Sequence, residues 1–303
     1  MRWIKKGLMF KPEGQFDWVV THGMLPVAER IGGDRYRIYF SGRDRLNRSS
    51  IGFVEIDIRE PENILRLSET PALGLGSLGA FDDNGVTPTW VLNQNGTKYM
   101  YYFGWNKGSS VRAGEMAGLA ISNDGGETFT RVSRAPILER TDREPYSILV
   151  ACCIRVEGGL WRMWYDSADE WIDKDMPRYN IKYAESKDGF HWVREGTVSV
   201  DFQYPGETRV SRACVLKEGG RYRMWYCYAL GRGGYRMGYG ESSDGVKFER
   251  KDQEVGIDVS ESGWDSEMIC YPFVFNHGDR KYMLYCGNGY GKTGFGYAIG
   301  IEE

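Results

Sequence analysis

The sequence predicts an all-β protein: a single five-bladed β-propeller of four-stranded antiparallel blades. Three observations carry this. An aromatic segment recurs five times at nearly constant spacing. A glycine-containing turn and a second apolar run precede every copy. The fifth unit lacks its last strand, and the first residues of the chain have the pattern that would supply it.

The recurring segment is Tyr36-Arg37-Ile38-Tyr39-Phe40, Tyr99-Met100-Tyr101-Tyr102-Phe103, Trp161-Arg162-Met163-Trp164-Tyr165, Tyr222-Arg223-Met224-Trp225-Tyr226 and Tyr282-Met283-Leu284-Tyr285-Cys286. The aligned residues Ile38, Met100, Met163, Met224 and Met283 lie 62, 63, 61 and 59 positions apart. The turns ahead of them include Gly32-Gly33-Asp34, Asn95-Gly96 and Gly219-Gly220. Two β-rich runs across such a turn form a hairpin. Further on, Tyr183-Ala184-Glu185-Ser186-Lys187-Asp188-Gly189 matches Tyr239-Gly240-Glu241-Ser242-Ser243-Asp244-Gly245. Asp-Gly supplies the positive φ of a tight turn, which leads to a third and a fourth strand. The units span about 15–70, 80–133, 142–196, 206–252 and 264–303 plus 1–7. The last runs out at Glu303 without a turn, and Met1-Arg2-Trp3-Ile4-Lys5-Lys6-Gly7 is similar to His191-Trp192-Val193-Arg194-Glu195-Gly196. An N-terminal strand closing the last blade would remove two exposed sheet edges.

Composition agrees with such a fold. The 303 residues include 40 Gly, 20 Tyr, 13 Phe and 10 Trp, which suit repeated turns and aromatic strands. With 39 basic against 42 acidic residues the net charge is -3, and there is no basic excess for nucleic acid. No apolar run approaches the roughly 18 residues of a membrane span. The basic start has no apolar segment behind it, so no secretory signal is expected. The six cysteines lie in strand-like runs without a C-x-x-C pair, which points to a reduced, cytoplasmic protein. His22, His191 and His277 are too dispersed for a metal site, and no cofactor is expected.

Two apparent motifs lack their context. Gly74-Leu75-Gly76-Ser77-Leu78-Gly79 fits G-x-G-x-x-G but lies between blades, with no helical pattern after it. Gly291-Lys292-Thr293 ends like a P-loop, yet the required earlier glycine is Cys286. Ser122-x-Asp124-x-Gly126-x-Thr128-Phe129 resembles the Asp-box of sialidases, a turn staple between outer strands.

In a propeller, the loops entering the innermost strands and those joining second to third strands open on one face, around the axis. The entrances hold His22, Asp82, Asp83, Glu144, Glu207, Asp265 and Glu267. Counted back from the repeated Met or Ile, these acids fall at nearly the same height in four blades. The second-strand exits add Arg43, Trp105, Asp166, Tyr228 and Lys292. Converging carboxylates suit glycoside cleavage, where one acid gives a proton to the leaving oxygen and another, ionised, activates water or attacks the sugar. Glu207 is the expected general acid and Asp83 the expected base, with Glu144 and Glu267 as alternatives or modulators. Arg209 and Arg212 follow Glu207 on one strand. Their spacing puts them on opposite faces unless a bulge intervenes, and both on one face would clamp an anion.

These residues carry a resemblance. The five units with N-terminal closure, Asp83 and Glu207 at blade entrances, and Tyr183-Ala184-Glu185-Ser186-x-Asp188-Gly189 resemble the five-bladed propeller glycosidases: glycoside hydrolase families 43, 32 and 130. Gly206-Glu207-Thr208-Arg209, Trp264-Asp265-Ser266-Glu267-Met268 and Gly289-Tyr290-Gly291-Lys292-Thr293-Gly294-Phe295-Gly296 are similar to uncharacterised glycosidase-like proteins of bacterial surface-polysaccharide clusters. The resemblance implies a glycosidase in polysaccharide metabolism, a carbohydrate or sugar-phosphate ligand, and a general acid at Glu207. It departs at the first blade, where the arabinanase type has its base Asp and this chain has Thr21-His22. Phosphorolysis, an anionic or activated sugar, and a non-catalytic sugar-binding scaffold are the alternatives.

Overall fold

The computed structural model describes residues 1–301, with backbone only at 150 and 151. The predicted end of the last strand at Glu302 and Glu303 lies outside the described residues. Strand β1 is Arg2–Phe10. Four antiparallel meanders follow, in chain order. They are β2 (Thr21–Gly32), β3 (Arg35–Arg43), β4 (Ser49–Asp57) and β5 (Ile64–Leu67); then β6 (Gly85–Gln94), β7 (Thr97–Lys107), β8 (Ala113–Ser122) and β9 (Thr130–Arg131). The next are β10 (Ile148–Glu157), β11 (Leu160–Asp173), β12 (Met176–Ser186) and β13 (Trp192–Val193), with an extra strand β14 (Val198–Val200) on β12; then β15 (Glu207–Glu218), β16 (Arg221–Leu230), β17 (Arg236–Ser242) and β18 (Glu249–Arg250). A last set, β19 (Cys270–His277), β20 (Arg280–Cys286) and β21 (Phe295–Ile301), is completed by β1, with Arg2 opposite Ile301 and Phe10 opposite Phe295.

Hydrogen bonding groups the strands into sheets of eight, nine and four rather than five separate ones. The reason is local. Single parallel bridges, Ser49 to Gly85 and Tyr179 to Arg209, join neighbouring meanders where their inner ends converge. The five first strands pack in a cycle: β2 on β6, β6 on β10, β10 on β15, β15 on β19, and β19 back on β2.

The repeat explains this packing. Ile38, Met100, Met163, Met224 and Met283 are all fully buried in second strands. In the first three meanders the residue after the repeated one reaches the next meander. Tyr39 OH donates to the Gly126 carbonyl (2.9 Å), Tyr101 OH to that of Gly189 (2.7 Å), and Trp164 Nε1 to that of Gly245 (2.9 Å). Gly189 has φ of 79°, and a Cβ there would sit 2.9 Å from the Trp161 ring, so glycine is required. The Asp-box turn is a staple: Asp124 accepts from Ser122 Oγ (2.7 Å) and Thr128 N (3.0 Å) between β8 and β9. All six cysteines are buried, none in a disulfide. No helix of the described residues is long and apolar enough to cross a membrane.

Candidate functional site

Each first strand breaks register at the same depth: between Met24 and Val27, Pro88 and Trp90, Ala151 and Cys153, Ser211 and Cys214, and Cys270 and Phe273. Bulges bend a strand and re-aim its side chains. Among the described residues, seven non-glycines have a left-handed φ. Five of them, His22, Leu25, Asn47, Tyr271 and Tyr290, line one cavity, and a sixth, Arg212, is buried next to its wall residue Ser211. Such residues cost about 1–3 kcal/mol each and cluster where function holds them.

The cavity encloses ≈ 550 Å³, within the range of small-ligand sites. Its aromatic lining is Phe103, Trp105, Tyr179, Tyr235, Tyr271 and Tyr290. Trp105 Nε1 donates to Ser49 Oγ (2.9 Å), and the hydroxyls of Tyr179 and Tyr235 bond to each other. Arg209 lies 4.9 Å over the Tyr235 ring and donates to Tyr290 OH at 3.0 Å. Arg43, Lys107 and Arg112 are the other cations of the lining. Its one carboxylic acid is Glu115, at the start of β8. Burial raises the pKa of this group, and its Oε2 has no hydrogen-bond partner. His22 Nδ1 meets Thr21 Oγ1 at 2.9 Å. Burial, then the charges of Arg43 and Lys292, lowers the imidazole from 6.5 to about 4, so His22 is neutral at pH 7.

Of the residues expected from sequence, the structure brings His22, Arg43, Trp105 and Arg209 together on this wall. The entrance acids are elsewhere, in a repeated clasp. Asp82 takes Arg131 Nε (2.7 Å) and Tyr102 OH (3.1 Å); Glu144 takes Arg194 Nη1 (2.8 Å) and Tyr165 OH (2.8 Å). Asp265 takes Lys5 Nζ (2.7 Å) and Tyr285 OH (3.0 Å). Glu207 forms a bidentate pair with Arg250 (2.9 Å twice), which also holds Asp252, the partner of Tyr226 OH. Each clasp thus joins an entrance acid, a cation on or just after an outermost strand, and the tyrosine two places after the repeated Met. In the first meander Trp18 replaces the acid: its ring sits 5.4 Å from Phe40 and its Nε1 donates to the Ser68 carbonyl. The common height of the acids reflects this shared duty.

The other predicted residues also lie off the wall. Asp83 accepts the Gly79 amide in the connector, at 2.8 Å. Glu267 is exposed and uses its backbone, donating to Asn288 Oδ1 and accepting from Arg236. Tyr228 stacks on Tyr204 (5.4 Å) under Arg250, and Lys292 is exposed. The bulge needed to turn Arg212 is present, but it directs the side chain into the core. Arg212 is fully buried and donates to the carbonyls of Thr89 (2.5 Å) and Cys152 (2.9 Å), both at bulges of other first strands. Asp166, also fully buried, accepts from Ser211 Oγ and the Arg212 amide, and burial raises it from 3.8 to about 7. Among the described residues no cluster of three or more His, Cys, Asp or Glu could hold a metal.

Wall residues not anticipated include Arg112, Glu115, Tyr179 and Tyr235. Each lies on the far side of a second-to-third-strand loop: Arg112 and Glu115 after β7, Tyr179 after β11 and Tyr235 after β16. Reading each loop through to the next strand would have reached them.

No family model matches the chain. Its fold is that of solved glycoside hydrolases. A structure described as "Glycoside hydrolase" superposes with a TM-score of 0.79 at 18% identity, covering 99% of this chain and 92% of that one. A BT0996 complex with RGII gives 0.76 at 19%, covering 99% and 91%, and a thermostable family-43 glycoside hydrolase gives 0.69 at 17%, covering 92% and 88%. In sequence, the chain is 42% identical over 300 residues to the uncharacterized proteins Rv1502 and MT1551 of Mycobacterium tuberculosis strains H37Rv and CDC 1551, covering 99% of both partners in each case. The chain belongs to the family of these mycobacterial proteins.

Proposed function

We propose that the chain is one five-bladed propeller domain acting as a glycoside-hydrolase-like enzyme on a carbohydrate in the axial cavity, with Glu115 as proton donor. The cycle of first strands and the fold of its solved neighbours support the five blades, at the boundaries given above. The observation that carries the chemistry is the single carboxylic acid on the wall. A carboxyl that burial biases towards its protonated form can pass its proton to a leaving glycosidic oxygen. Neutral His22 stands on the same wall as a proton acceptor, where the arabinanase type has its base Asp. Aromatic rings offer stacking faces for a sugar, and the RGII complex named for one neighbour supports a saccharide ligand. Six buried thiols without a disulfide support a reduced, cytoplasmic setting. Glu207, Asp82, Glu144 and Asp265 take structural roles in this reading.

The test is release of product from a panel of aryl glycosides. One member is cleaved, and Glu115→Gln lowers kcat by about 10²- to 10⁴-fold with an unchanged melting temperature. Equal turnover in the variant removes Glu115 from the chemistry. A second reading, a sugar-binding propeller without turnover, is favoured by the clasped entrance acids; binding without cleavage across the panel would establish it.

A further inference from the structure

We infer that the axial cavity binds an anion, a carboxylate or phosphate, held by Arg43, Arg112 and Arg209. The inference rests on the reading that the ligand occupies this cavity, and it names the ligand's chemistry. Four cations and one carboxylic acid line a cavity in a chain of net charge -3.

Four other buried cations have acidic partners: Arg37 pairs with Glu55, Arg194 with Glu144, Arg250 with Glu207, and Lys182 with Asp169. Arg212, in the core, is held by carbonyls. At the cavity Arg43 and Arg209 have neutral partners. Arg43 donates to Asn47 Oδ1 (2.8 Å), and its Nε has no partner. Arg209 donates to Tyr290 OH and to the carbonyls of Gly231 and Gly233, and its Nε also has none. Arg112 approaches Glu115 only to 3.9 Å, and that acid is held towards its neutral form by burial. Cations taken from water without a counter-charge are costly, and an anion entering among them relieves that cost.

The local field has the same sign. Burial lowers the Arg43 guanidinium, Tyr271 opposes this, and the Arg112 charge adds to the lowering. The donors are also fixed in advance. Arg209 is tied to two backbone carbonyls, and Arg43 is held by Asn47 and lies 5.9 Å over the Trp105 ring. Planar guanidinium groups suit the paired oxygens of carboxylate and phosphate.

Calorimetric titration of the full chain with D-glucuronate, glucose 6-phosphate, inorganic phosphate and D-glucose tests this. At least one anion binds at millimolar concentration, tenfold or more tighter than glucose. Arg43→Met and Arg112→Met each weaken it by about 10- to 100-fold. Arg112 is half exposed, so its variant keeps the wild-type melting temperature. Glucuronate alone identifies a carboxylate sugar, glucose 6-phosphate alone a phosphorylated one, and inorganic phosphate alone a phosphate co-substrate. Glucose binding as tightly as the anions, no binding by any anion, or wild-type affinity in both variants overturns the inference. An anion bound with no glycoside cleaved defeats the cleavage reading and leaves this one standing.

Discussion

Two regions around the axis contrast sharply. At the strand entrances, Asp82, Glu144, Glu207 and Asp265 occur one in each of the last four sets of strands, each neutralised by Arg or Lys. On the cavity wall, Arg43, Arg112, Glu115 and Arg209 follow no repeat, and among the described residues Arg43 and Arg209 pair with neutral groups rather than carboxylates. Recurrence at one height marks a part of the shared architecture. A charge breaking the repeat, left without its counter-charge, marks the place that differs for a reason outside the fold.

Three substitutions test that division, taken in order of their effect on stability. Glu207→Gln removes one of the two carboxylates that hold buried Arg250, leaving Asp252, and costs about 3 kcal/mol. Urea unfolding measures it; an unchanged midpoint with lost turnover would return Glu207 to the chemistry. Asp265→Asn costs less, about 1–3 kcal/mol, because Lys5 keeps some access to water. Glu115→Gln, replacing a group that burial already holds towards its neutral form, changes stability by about 0.5 kcal/mol or less, although it stops turnover. A large loss there would place Glu115 with the clasps.

A separate test is a pair of opposed pH slopes. Asp166, raised from 3.8 to about 7, favours the folded state most when protonated, so its contribution fades as pH rises from about 4 through 7. His22, lowered from 6.5 to about 4, contributes above 6.5 and loses that contribution as pH falls through 4. The two oppose each other over one window. Asp166→Asn therefore leaves stability falling towards pH 4, and His22→Asn leaves it falling towards pH 7. Urea midpoints at pH 4 and 7 show slopes of opposite sign; slopes of the same sign would refute both assignments.

The β-rich, repeated fold was legible because one buried residue per unit recurs with aromatic neighbours, and because residues 1–7 carry the missing strand pattern. The entrance acids were visible too, but their duty was not. Arg131, Arg194 and Arg250 lie about fifty residues downstream of their acids, and Lys5 lies at the other end of the chain. A spacing rule for strands has no access to such partners. The tyrosine two places after the repeated Met was a usable hint, since a buried hydroxyl needs an acceptor. Glu115 was missed because it sits at a third-strand start, beyond the loop exits where the sequence pattern points. Arg212 was seen, but the direction of its bulge depends on φ, which its neighbours do not specify.

The seat of Arg212 has a consequence for traffic. With Arg212, Thr89, Cys152 and Asp166 all closed to solvent, the axis is solid beneath the cavity. A ligand cannot pass through such a floor and must leave by the mouth it entered. In the cleavage reading proposed above, substrate and product use that doorway in turn. The released fragment should therefore compete with the next arrival, and inhibition by product will report on the plug without a single atom of it being changed.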